Sequence, residues 1–199
     1  MSERIAPEIH YTSQKRKIDL SVKTDNGIYK PAEDTFLLLD ALDEVEELSE
    51  KVLELGTGTG IIAIYCAKRG SEVIATDINE KALALAEENA RLNGVDGRIK
   101  LVESNLFENV KGRFETIVFN PPYLPEEEPR DIALDGGEKG YELSKLFLKD
   151  LGKHLKQGGS CYLLLSSLDL PERLLESYRH KILAEKSFFF EKLYVFEIL

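Results

Sequence analysis

Asn120-Pro121-Pro122-Tyr123 follows an apolar run, Thr116-Ile117-Val118-Phe119, that reads as a buried strand. The four residues are therefore expected at a strand's carboxyl end, the edge where open α/β sheets bind ligands. Neither proline has an N–H, both have a fixed φ, and Pro121 drives Asn120 away from helical backbone. The result is a stiff turn offering an amide side chain, bare carbonyls and an aromatic ring. Such a set suits a flat NH2-bearing group: oxygens accept its hydrogens and Tyr123 covers its face. Taken alone, the same residues also read as a strand-ending turn without chemistry.

A second constellation lies upstream. Gly56, Gly58 and Gly60 follow the short strand Val52-Leu53-Glu54-Leu55 and precede a helix, so they allow a tight turn and close ligand approach. Asp77 ends the next strand about 20 residues on, the offset of a carboxylate that holds ribose hydroxyls. The dinucleotide fingerprint wants G-x-G-x-x-G, but here the third glycine comes one residue early and Ile61 follows. Glu54, two residues before the first glycine, would repel a pyrophosphate and attract an ammonium or a sulfonium; it also reads as an ordinary strand residue. Spacing and charge together favour S-adenosylmethionine over a nicotinamide dinucleotide.

The surrounding elements must position these groups. Ile18, Leu20 and Val22 alternate with polar residues, and a turn at Asp25-Asn26-Gly27 leads to Ile28-Tyr29, which predicts a small hairpin. Pro31 opens a helix whose apolar face carries Phe36, Leu37, Leu38, Ala41, Leu42 and Val45. Glu33, Asp34 and Thr35 fall in its first turn, where carboxyls suit the helix dipole. From Lys51, strands and helices alternate: strands over 72–78, 98–104 and 113–120, and a helix capped by Asn79 that stops at Asn93-Gly94. A Pro-, Gly- and acid-rich loop spans Leu124 to Gly140, a length typical of functional loops. A helix over 143–155, a strand over 161–165, a helix over 174–183 and two closing strands, Phe188-Phe189-Phe190 and 193–199, complete the reading. This alternation predicts a mostly parallel sheet covered on both faces, with one late strand antiparallel.

The 199 residues, 43% hydrophobic, are expected to form one domain with a sizeable core. A net charge of -10 argues against general nucleic-acid binding, although Lys15, Arg16 and Lys17 form a small basic cluster. Cys66 and Cys161 lie in apolar segments without zinc spacing, and His10, His154 and His180 are scattered, so no metal site is expected. The start lacks an apolar signal-peptide region and no run reaches membrane-spanning length, which points to a cytoplasmic protein.

The pattern Glu54-x-Gly56-x-Gly58-x-Gly60 with Asp77 resembles the class I S-adenosylmethionine-dependent methyltransferases. That resemblance implies a Rossmann-like seven-stranded α/β sheet, order 3-2-1-4-5-7-6 with strand 7 antiparallel. It also implies a core over residues 31–199 with residues 1–30 as a hairpin extension. It assigns S-adenosyl-L-methionine, converted to S-adenosyl-L-homocysteine, to a pocket of Glu54, Gly56, Thr57, Gly58, Gly60, Asp77, Ile78, Asn105, Leu106 and Asn120. Asp77 would take the ribose, and Asn105, where an Asp is commoner, the adenine amino group. The catalytic turn would be Asn120, Pro121, Pro122 and Tyr123. Asn-Pro-Pro-Tyr in this slot is similar to methyltransferases acting on planar nitrogen: nucleobase amines and glutamine amides.

Tyr29-Lys30-Pro31-Ala32-Glu33-Asp34-Thr35-Phe36, with Asp135-Gly136-Gly137 and Gly140, looks like the short HemK-type glutamine methyltransferases of archaea and eukaryotes. These act on the GGQ glutamine of class 1 translation release factors. The resemblance puts Thr35 near the methionine moiety, and Glu33 and Asp34 remain open between capping and direct contact. Bacterial members carry an N-terminal helical domain for which there is no room before Val52. The short branch instead works with a small zinc-binding activator at the sheet edge, here residues 98–104 with Ile99, Leu101 and Val102; an edge covered by its own chain is the alternative.

Glu126, Glu127, Glu128, Asp131 and Asp135 behind the turn would repel phosphates within about a Debye length, ~8 Å, which favours a protein acceptor over a nucleobase. The same run also reads as a solvated loop. A lysine acceptor, and a non-catalytic cofactor-binding subunit, are the remaining alternatives.

Overall fold

In the computed structural model, which describes residues 8–122 and 141–199, strand and helix alternate along the chain. An antiparallel pair, β1 (Glu8–Thr12) and β2 (Asp19–Lys23), precedes helix α1 (Glu33–Glu44). Then come β3 (Lys51–Leu55), α2 (Ile61–Lys68), β4 (Glu72–Asp77), α3 (Glu80–Leu92), β5 (Ile99–Glu103) and β6 (Phe114–Phe119). Helix α4 (Glu142–His154), β7 (Leu155–Ser166), the single turn α5 (Pro171–Leu174), β8 (His180–Ser187) and β9 (Lys192–Ile198) close the chain.

Seven strands form one sheet in the order β5-β4-β3-β6-β7-β9-β8, with β9 antiparallel to both neighbours. Counted from β3, this is the expected 3-2-1-4-5-7-6. Both faces are covered, so successive strand residues are apolar yet divide between two cores. Val52, Val118, Tyr162 and Leu164 pack with α1 and α2, whereas Leu53, Leu55, Ile117, Phe119 and Leu163 pack with Phe147 and Leu151 of α4. Cys66 and Cys161 are buried free thiols within these cores. No helix among the described residues is long and apolar enough to cross a membrane.

Four local expectations are corrected. Leu20 and Val22 do belong to a hairpin, but their partners are upstream: Tyr11 and Ile9 lie opposite them. Gly27, in a left-handed conformation at φ 85°, does turn the chain, but Ile28 and Tyr29 enter the ligand cleft rather than a returning strand. The pair docks on α3 through two asparagines. Asn89 Oδ1 accepts from the Lys23 N–H and its Nδ2 donates to the Lys23 carbonyl, while Asn93 does the same for Ser21.

The helix expected over 174–183 is instead α5 followed by strand β8, and Phe188-Phe189-Phe190 forms the β8–β9 turn rather than a strand. β8 is an edge strand with a register shift between Ile182 and Ala184, so its apolar residues Ile182-Leu183-Ala184 cluster instead of alternating. Its remaining positions are charged or polar and exposed, which removes the period-2 signal.

Candidate active site

Strand β3 ends beneath a loop in which Gly56, Gly58 and Gly60 all adopt left-handed backbone, at φ 63°, 53° and 82°. A side chain at any of them would be strained. Gly60 stands outside the cleft lining; a Cβ there would meet the Ala86 Cβ at 2.9 Å, so its role is the close approach of α2 to α3. The buried Asn89 supports the loop by donating Nδ2 to the Thr59 carbonyl. It therefore ties the glycine loop to the hairpin, a function that its place in a helix does not announce.

Asp77, at the end of neighbouring β4, grips the loop from the side. Its Oδ2 accepts from the Gly58 N–H and its Oδ1 from the Asn79 N–H, both at 2.9 Å. Burial raises its pKa, against the pull of these backbone donors. Each oxygen keeps acceptor capacity for a hydroxyl. Glu54 lies deeper. It is fully enclosed, takes a 2.6 Å hydrogen bond from the Thr57 hydroxyl, and burial pushes its carboxyl up to about 8, with the charge of Asp77 adding to the rise. A buried acid of this kind is relieved by a cation and aggravated by a phosphate.

Across the cleft, Leu106 is one of the few non-glycine residues with left-handed backbone, at φ 48°. Ser104 holds this turn: its hydroxyl donates to the Leu106 carbonyl and accepts from the Asn109 N–H. Asn105 donates Nδ2 to Glu108, which turns its amide oxygen the other way. Ile78 is 38% exposed at the cleft rim, an apolar surface for a planar ring. The cleft wall thus runs from ribose-type acceptors beside apolar groups to a buried acid. This donor set fits an adenosyl group with a cationic tail.

Asn120 follows β6 and borders the same cleft, as do Pro121 and Pro122. Its Nδ2 donates to Asp34 Oδ2 at 2.8 Å, while Asp34 Oδ1 accepts from the Tyr29 hydroxyl at 2.8 Å. Asp34 is only 2% exposed and sits in the first turn of α1, where its two oxygens accept from side chains outside the helix. With both Asp34 oxygens accepting, the Asn120 NH2 must face Asp34 and its Oδ1 must face away. That Oδ1 is buried and has no partner among the described residues. Thr35, also buried, lines the cleft beside Asp34.

The cleft therefore brings together Thr35, Glu54, Gly56, Thr57, Gly58, Asp77, Ile78, Asn105, Leu106, Asn120, Pro121 and Pro122. Tyr123, the acidic residues Glu126, Glu127, Glu128, Asp131 and Asp135, and Gly136, Gly137 and Gly140 lie outside the described residues. Sequence reasoning missed Asn89 and the pairing of Asp34 with Asn120. No group of three His, Cys, Asp or Glu residues among those described could hold a metal ion.

Comparison with known proteins gives this geometry a family. The methyltransferase small domain model matches residues 19–190. A Methanocaldococcus jannaschii protein named as a protein N5-glutamine methyltransferase is 46% identical over 75% of this chain and 77% of its own length. The release factor glutamine methyltransferase of Agrobacterium fabrum is 38% identical over 66% of this chain, which spans about half of that relative, 52%. Among solved structures, the E. cuniculi Mtq2–Trm112 complex, responsible for methylation of the eRF1 translation termination factor, matches at a TM-score of 0.69 and 29% identity. The match covers 86% of this chain and 97% of that one. The chain belongs to the methyltransferase small domain family and is an N-methyltransferase with glutamine N5-methyltransferases among its relatives.

Proposed function

We propose that this protein transfers the methyl group of S-adenosylmethionine to the side-chain amide nitrogen of a protein glutamine, that of the GGQ motif of a class 1 translation release factor. The observation that carries this reading is the unpartnered Asn120 Oδ1, turned away from Asp34 by the bond that Asp34 takes from the amide NH2, on a residue that borders the cleft. A carboxamide nitrogen is a poor nucleophile, since its lone pair is delocalised. Asn120 Oδ1 and the Pro121 carbonyl accept its two N–H groups, which fixes the nitrogen and raises its electron density. Fixing the acceptor contributes a proximity term that reaches ~7–11 kcal/mol for well-oriented reactants.

The cofactor, when bound, supplies an electrophilic methyl group on a sulfonium. Glu54 offsets positive charge at one end of the cleft, Asp77 takes the ribose hydroxyls, and Asn105 Oδ1 accepts from the adenine amino group between Ile78 and Leu106. No histidine base is required before transfer, because the amide proton leaves only after the nitrogen has become cationic. The exposed edge of β5, with Ile99 and Leu101 half-buried, suits strand addition by a small zinc-binding activator.

The test is methyl-label transfer from S-adenosylmethionine into a cell lysate, followed by protease or nuclease. Label lost with protease and retained with nuclease is expected. Label that survives protease and disappears with nuclease overturns the protein acceptor.

A further inference from the structure

The turn joining β8 to β9 carries an apolar surface that neither the core nor the cleft uses. Phe189 and Phe190 are 92% and 86% exposed, their rings edge-on with centroids 4.7 Å apart. Phe188 beside them, and Leu168 and Leu170 on the segment after β7, are also exposed. The turn is a built feature. The Phe188 N–H donates to the Glu191 carbonyl at 2.8 Å, the Ser166 hydroxyl donates to the Glu191 carboxyl, and the Lys192 N–H donates to the Ser167 hydroxyl. Turns of this kind favour Gly, Asn, Asp and Ser, so nothing in the local backbone calls for three phenylalanines.

Its position is informative. Phe119 of β6 lies beside Leu163 of β7, and Ser166, three residues further, pairs with Leu193 at the start of β9. The phenylalanine turn therefore overhangs the sheet edge on which Asn120 sits. β6 and β8 are three strand spacings apart, roughly 14 Å at about 4.8 Å each, a span of about four or five extended residues. Consecutive residues of α1 tie the two places together: Glu33 pairs with Lys186 at the root of the hairpin, and Asp34 holds Asn120.

We propose that this turn docks the protein substrate, gripping an apolar patch of it beside the acceptor glutamine; the proposal rests on the reading of the acceptor above. Charge supports a neutral, apolar contact: Lys186 is paired with Glu33, and Lys192 with Glu185 at 2.7 Å. Size argues against a second copy of this chain. Rings burying ~150–250 Å² each fall short of the ~800 Å² per partner of a standard interface, but suffice as an auxiliary anchor. The net charge of -10 opposes insertion into an anionic membrane.

The experiment compares the full chain with the Phe189→Ser/Phe190→Ser double variant, using a purified class 1 release factor, with activator if activity requires it, and a short peptide carrying the acceptor glutamine. The expected result is a KM for the release factor raised about thirtyfold, the size of a hot-spot loss, with kcat, peptide turnover and S-adenosylhomocysteine affinity unchanged. Phe189→Leu/Phe190→Leu should restore most of the KM. An unchanged KM overturns the docking proposal, and so does a dimer of the wild type that the double variant loses. Failure of the wild type to methylate both protein and peptide is the distinct outcome that removes the acceptor reading, and this proposal with it.

Discussion

Asp34 and Asn120, 86 positions apart, share a 2.8 Å hydrogen bond that decides which end of the Asn120 amide faces Asp34 and which end is left without a partner. Asp34→Ala frees that amide to rotate. Turnover should fall about 10- to 100-fold, the equivalent of ~1.5–3 kcal/mol for a hydrogen bond to a carboxyl group. S-adenosylhomocysteine affinity, read by calorimetry, should stay within about threefold. Equal losses in turnover and affinity would mean that Asp34 supports the pocket and not the orientation of Asn120.

Asn120→Ala removes the acceptor itself, and a loss of about 10²–10³ in kcat is expected, as for other preorganised transition-state contacts. Because Asp34 acts through Asn120, adding Asp34→Ala to Asn120→Ala should cost little more. Additive losses in this double-mutant cycle would assign the two residues independent tasks.

The buried Glu54 predicts a pH dependence whose sign follows from its raised pKa of about 8. Below about pH 4.5 both folded and unfolded chains hold the proton. Above that the unfolded chain releases it while the folded one keeps it until about pH 8. The ligand-free protein should therefore lose stability as pH rises through this window, by at most ~1.4 kcal/mol per pH unit. Asp169, raised by burial to about 7, contributes with the same sign, so the comparison is with Glu54→Gln. Thermal melts of that variant should fall less steeply with pH. Affinity for S-adenosylmethionine should rise with pH up to about 8 in the wild type, with proton release, because a cation favours the ionised acid. An affinity that is flat with pH in the wild type would separate Glu54 from cofactor charge.

At Gly60 the expected loss is structural. Gly60→Ala combines left-handed backbone with a 2.9 Å approach to the Ala86 Cβ, so urea unfolding should show a destabilisation of ~2–4 kcal/mol. Adding Ala86→Gly should recover the part due to the Ala86 Cβ, leaving the backbone strain and the tight 3.1 Å approach to the Ala86 Cα. No recovery would place the clash elsewhere.

The strand–helix alternation, the glycine loop after β3 and Asp77 at the end of β4 were legible because each is a local pattern: a buried apolar run followed by residues whose backbone freedom or side chain is encoded in place. The sheet order was implied by the resemblance that these residues carry. The misread segments lack that property. β8 is an edge strand with few buried side chains and a shifted register, so its periodicity is erased. The partner of β2 is upstream because Ile9 and Tyr11 supply the matching apolar face, which turn chemistry at Gly27 concealed. The roles of Asp34 and Asn89 depend on hydrogen bonds to distant segments, Asn120 for one and Thr59 and Lys23 for the other. No spacing rule reaches across such separations.

The most direct measurement of the central claim is site-resolved mass spectrometry of a purified class 1 release factor incubated with this protein and S-adenosylmethionine. The account predicts a single added methyl group on the side-chain amide of the GGQ glutamine, absent with Asn120→Ala. A methyl group found on lysine instead, or an unmodified release factor beside methylated nucleic acid, would contradict it.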